Sequence, residues 1–115
     1  MAMTLAFIHT SPVLVPLFTE LAKRELAELD RFHMVDESLL RNTIQAGRLT
    51  RATTRRLAAM VGSAREGGAD AVLVTCSSIG PAVEASAPFA GVPVLRVDQP
   101  LVDQAVRLGR KVGVS

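Results

Sequence analysis

Apolar positions along the chain gather into short runs separated by longer stretches of helical spacing, an alternation that predicts a β-α-β-α-α-β-α-β-α order. The first run, residues 4–9, reads as a strand. It leads into Thr10-Ser11-Pro12, a polar turn able to cap a helix. That helix is expected over 13–29: Pro16 is tolerable only in its first turn, and the E-L-A-K-R-E-L-A-E-L stretch is a strong helix former. A shorter strand is expected over 31–35. Asp36 can then cap a helix over 37–46, closed by Gly47. Thr50 opens the next helix, which runs to about residue 66 with Leu57, Val61 and Ala64 on one face and Gly67-Gly68 as its stop.

The run over 71–75, A-V-L-V-T, suits a strand buried on both faces. It ends in Cys76 and turns at once, through Ser77-Ser78-Ile79-Gly80, into a helix expected over 81–87 with Pro81 at its first position. A strand over 93–97 follows, then a helix over 99–109 capped by Asp98, with Pro100 at its first position, and a last apolar run over 111–114. The order implies an α/β lobe: a parallel sheet of four to five strands with helices on both faces, a flavodoxin-like three-layer arrangement joined by right-handed crossovers. Residues 1–115 read as a single such lobe, without a linker or second domain. A faint repeat links T-L-A-F-I-H-T-S with the terminal K-V-G-V-S, each an apolar strand ending in a hydroxyl residue.

Composition narrows the class. A chain of 115 residues can bury roughly two-thirds of its unfolded surface in one core. Hydrophobic residues make up 49% against 21% charged, which excludes disorder as the main state. With four Phe and no Trp or Tyr, the core must be aliphatic. The net charge of +2 is too small to point to nucleic acid, and aromatic side chains to interleave with bases are lacking. The apolar start lacks a basic leader and runs into a His-Thr-Ser turn, so neither a signal peptide nor a membrane span is expected. One cysteine makes no internal disulfide, which suits a reducing compartment and hence the cytoplasm.

The candidate chemistry gathers where strands end. In open parallel sheets, ligands sit beyond the carboxyl ends of the strands. Cys76 is placed there, followed by two serines and a helix start, surroundings that favour a thiolate; a free cysteine also serves as a small buried hydrophobe. Ser77 and Ser78 can cap the helix or hold a carboxylate. Thr10 and Ser11 end the first strand, which is expected beside the third, so they can face Cys76 across the cleft. His9 suits either an acid or base near neutral pH or a satisfied structural residue of the strand. The basic run Arg48, Arg51, Arg55 and Arg56 reads as a solvated helix face. No metal-ligand spacing, phosphate loop or dinucleotide fingerprint occurs, so neither a metal nor a cofactor is expected.

The pairing of I-H-T-S-P-V-L-V-P-L-F at the first strand-to-helix turn with A-D-A-V-L-V-T-C-S-S-I-G-P-A-V at the third resembles the aspartate/glutamate racemase superfamily. R-L-A-A-M-V before the cysteine strand and P-V-L-R-V-D-Q-P after it extend the resemblance over nearly the whole chain. It implies a two-lobed, cofactor-independent enzyme in which each lobe contributes one cysteine and the two thiols flank the substrate α-carbon. By that resemblance Cys76 is the first-lobe acid/base, and Thr10, Ser11, Ser77 and Ser78 are carboxylate contacts. Glutamate racemases usually carry an acidic residue and Ser-Gly where this chain has His9-Thr10-Ser11, and Asn-Thr where it has Ser77-Ser78.

The resemblance covers the first lobe only. Racemisation needs a base on one face of the α-carbon and an acid on the other, and one thiol cannot occupy both. The expectation is a racemase or isomerase of a small carboxylic or amino acid, completed by a second lobe or by self-association into a homo-oligomer. The alternative is a non-catalytic carboxylate-binding or interaction module.

Overall fold

The computed structural model describes residues 3–97, and the expected helix over 99–109 and apolar run over 111–114 lie outside them. The described strands are β1 (Thr4–His9), β2 (Asp30–Val35), β3 (Ala71–Val74) and β4 (Val94–Arg96), and the α-helices are α1 (Leu14–Glu25), α2 (Ser38–Ala46), α3 (Arg51–Glu66) and α4 (Gly80–Ser86). All strand pairs are parallel, in the order β2-β1-β3-β4. The expected α/β architecture is therefore observed, with β1 and β3 central.

Strand alternation divides the core into two. Ala6, Ile8, Val72 and Val74 pack on one face against Leu39 of α2, Leu57, Val61 and Ala64 of α3, and Ala82 and Val83 of α4. Leu5, Phe7, Ala71 and Leu73 pack on the other face against Phe18 and Ala22 of α1. The central strands are thus apolar at consecutive positions because both of their faces are covered, as the unbroken run in β3 predicts. Burying side chains the size of Leu57 or Leu73 contributes about 1.5–3 kcal/mol each, and both are essentially inaccessible to solvent.

Local signals in the sequence set most boundaries. The Thr50 hydroxyl accepts from the Thr53 amide at 3.2 Å and starts α3. The Asp36 carboxylate accepts from the Ser38 amide at 2.9 Å, so it caps α2 as expected. Gly47, at φ +70°, ends that helix in the left-handed region that glycine enters without steric cost.

Two boundaries depart from expectation. α1 stops at Glu25, short of residue 29, although the sequence up to Leu29 has strong helix propensity. Leu26 and Leu29 are buried in the turn that returns the chain to the sheet, where the Asp30 amide donates to the Met3 carbonyl at 2.9 Å. Pairing of β2 with β1 overrides propensity there. After β3, a single 3₁₀ turn over Ser77–Ile79 precedes α4, so the thiol is followed by that turn and not directly by an α-helix.

Candidate functional site

Strand register positions the candidate residues. Ile8 pairs with Val74 across the central strands, and the Thr75 amide donates to the Ile8 carbonyl at 3.0 Å. Continued two steps, the same register sets Thr10 and Cys76 just beyond two adjacent strand ends. This is also where the chain changes direction across the sheet: β1 connects to β2 on one side, while β3 connects to β4 on the other. A crevice at such a switch point is the ligand position general to open α/β sheets.

Cys76 is a free, half-buried thiol. Its backbone is extended, with φ −112° and ψ 115°, and its side chain packs against the core on the α2–α3–α4 face. Ser77 and Ser78 are exposed, and among the described residues their hydroxyls have no hydrogen-bond partner. Helix capping thus does not occupy them. Ser11 is half-buried; its Oγ accepts from the Val13 amide at a long 3.4 Å, which leaves capacity for a further bond. Thr10 is only 6% exposed, and its hydroxyl is without a partner among the described residues. A buried hydroxyl in that condition is destabilising by about 1–3 kcal/mol, and a ligand oxygen would relieve it.

His9 lies elsewhere. It is fully buried, and alternation puts it with Leu5 and Phe7 on the α1 face of the sheet, opposite the face against which Cys76 packs. Its Nδ1 is 2.7 Å from the Thr75 hydroxyl and its Nε2 is 2.8 Å from Nδ1 of His33. Nε2 of His33 is in turn 3.1 Å from the Thr19 hydroxyl on α1. The two imidazoles stack with each other and with Phe7, whose ring centroid lies 4.9 Å from that of His33. Burial, reinforced by the proximity of His33, pushes the His9 pKa down to about 4; burial, with Arg31 nearby, also lowers that of His33. Both rings are neutral at physiological pH.

Sequence reading singled out neither His33 nor Thr19 and Thr75. The available signal was a second histidine in the neighbouring strand, at a position on the same face as His9. The arginines expected on a solvated helix face are exposed, and Arg56 pairs across to Asp36. Burial raises the Asp36 pKa, but the Ser38 hydroxyl and amide, with Arg56 and Arg41, outweigh it and hold the carboxyl below its ordinary value. A groove of about 350 Å³ runs along α3 from Thr54 to Glu66 beside the end of α4, and Cys76 is not among the residues that line it. Among the described residues, no helix is long and apolar enough to cross a membrane.

A family model described as Asp/Glu/Hydantoin racemase matches residues 8–114, a span that includes both strand-end turns and the thiol. No curated protein and no solved structure matches the chain. With almost its whole length matched by that model, the chain belongs to the Asp/Glu/Hydantoin racemase family.

Proposed function

We propose that the protein is a lobe of a cofactor-independent racemase or isomerase acting on a small carboxylic or amino acid, with Cys76 as the acid/base at the α-carbon. Family membership supports racemase-type chemistry on such a substrate. The observation that carries the assignment to Cys76 is its position: a half-buried free thiol beside the Thr10 turn, at the switch point of the sheet. Thr10, Ser11, Ser77 and Ser78 bind the carboxylate, a role supported by hydroxyls left unpartnered or weakly engaged within the fold. In this reading His9 supports the site from behind the strand. A reducing, cytoplasmic setting fits the single cysteine.

One thiol serves one face of the substrate. The chain has a single cysteine, so the opposing acid belongs to a second lobe or a second copy, of which this chain is the amino-terminal-type half. The test is α-proton exchange in deuterium oxide across a panel of small α-amino acids and 2-substituted carboxylic acids, followed by NMR, with sedimentation to fix the oligomeric state. Exchange with inversion is expected from the paired species and exchange with retention from a monomer. Binding of a carboxylate without exchange in either species would favour the non-catalytic module. A monomer that inverts its substrate would defeat the two-sided argument.

Thr10→Val separates binding from folding. Removing the hydroxyl is expected to weaken carboxylate binding about fivefold, equivalent to about 1 kcal/mol, while leaving the urea midpoint unchanged or slightly raised. Titration of the variant with its carboxylate ligand, alongside a denaturation curve, checks both.

A further inference from the structure

We propose that His33, on the edge strand β2, is a positioning residue for the Cys76 turn, acting through His9 and Thr75. The inference rests on the reading of Cys76 as the reacting group. Hydrogen-bond direction along the chain of four side chains is fixed from its inner end. The Thr75 hydroxyl donates to the Ile8 carbonyl at 3.2 Å, which uses its one proton. It therefore accepts from Nδ1–H of His9, 2.7 Å away. A neutral His9 then offers Nε2 as an acceptor, and the donor to it at 2.8 Å is Nδ1–H of His33. His33 Nε2 is left to accept from the Thr19 hydroxyl at 3.1 Å. Every imidazole nitrogen in the line has one role, and the direction at the His9–His33 contact holds only while His9 is neutral.

The line ends where the thiol begins. Thr75 sends both its amide and its hydroxyl to the Ile8 carbonyl and so ties the last residue before Cys76 to β1. The turn that follows has no side-chain cap. Thr75 is thus the polar anchor of the thiol turn, and the histidines hold the anchor in its rotamer. The groups facing the pair are Phe7 from β1, Thr75 from β3, and Phe18 and Thr19 from α1, all uncharged; Arg31 on β2 is the charged neighbour acting on His33. Protonating His9 at Nε2 sets its N–H against Nδ1–H of His33 and breaks the line at that contact; protonating His33 at Nε2 instead reverses the contact with the Thr19 hydroxyl, which then accepts.

Two variants of the full chain test this, each read by amide hydrogen exchange and by iodoacetamide alkylation of Cys76, neither of which needs a substrate. His33→Phe keeps the stack on Phe7 but removes the donor to His9. It is expected to lower protection of the Thr75 amide about fivefold or more, the factor that corresponds to about 1 kcal/mol for an orphaned buried acceptor. The Val61 amide in α3 should keep its protection, and Cys76 should alkylate faster by the same factor as Thr75 exchanges. His33→Asn retains an N–H at the place of Nδ1 and is expected to restore both readouts. Unchanged Thr75 protection in His33→Phe, an equal loss at Val61, or failure of Asn to rescue would each overturn the proposal. The predicted pattern together with absent α-proton exchange would leave the positioning role standing and remove only the catalytic reading.

Discussion

Cys76→Ala is expected to lower α-proton exchange by about 10²–10⁴-fold, the range supplied by a positioned acid or base, while changing stability little. The small structural effect follows from burial: the side chain is only half-covered, at the end of a strand whose core positions are Val72 and Val74. Cys76→Ser should be as inactive as Cys76→Ala, because a serine hydroxyl ionises far outside the physiological range. His9 cannot deputise. It is on the opposite face, its Nδ1 is committed to Thr75 and its Nε2 to His33. The measurement is deuterium incorporation per enzyme for wild type and both variants at one substrate concentration, with melting curves recorded on the same samples. Retention of more than about a tenth of the exchange rate in Cys76→Ser would remove the thiol from the mechanism.

Most of the frame that sets this site was legible from residue pattern, because the signals were local. Thr50, Asp36 and Gly47 each act within their own helix end, and each is found performing the capping or stopping role its chemistry suggests. Ala71 to Val74 announced a strand covered on both sides by having no polar position to spare. The misjudged boundaries are those decided by distant partners. The last turn expected of α1 was given up to let Asp30 reach Met3, a pairing invisible to helix propensity. The 3₁₀ turn after Cys76 likewise reflects packing, since Ile79 is driven into the core on the α2–α3–α4 face before α4 can start.

The site divides the same way. That a cysteine and two hydroxyl turns sit at strand ends follows from sequence order, and that β1 and β3 are neighbours follows from the fold class. What sequence order does not reveal is the sidedness of the sheet near the cleft. His9, open in the sequence to an acid/base or a structural role, is sent by side-chain alternation to the face opposite the one against which Cys76 packs. His33 was hidden for a related reason. It meets His9 only because β2 pairs with β1 in a register that sets Phe7 beside it, with His9 one step along the same face.

The histidine pair makes the lobe sensitive to acid. Burial and His33 hold the His9 pKa at about 4, against 6.5 for an ordinary histidine, so between those values the unfolded chain takes up a proton that the folded chain refuses. Stability contributed by the neutral ring is therefore complete above about pH 6.5 and is lost as the pH falls toward about 4. Between pH 7 and pH 5 the loss from His9 alone comes to about 2 kcal/mol, with His33, also lowered, adding in the same direction. Asp36 works in the same sense only below the ordinary carboxylate range, where its ion pair and Ser38 contacts are titrated away. Urea midpoints at the two pH values measure the effect directly. His9→Asn is the informative comparison: its amide keeps a donor toward the Thr75 hydroxyl but carries no titrating group. The variant should be less stable than wild type at pH 7, because the stacking of the His9 ring on Phe7 and His33 is lost, yet show a much flatter dependence on pH. An equally steep loss of stability in His9→Asn would place the acid sensitivity outside the histidine line, and the neutral state of the pair would then cease to be what holds Thr75, and through it the thiol turn, in place.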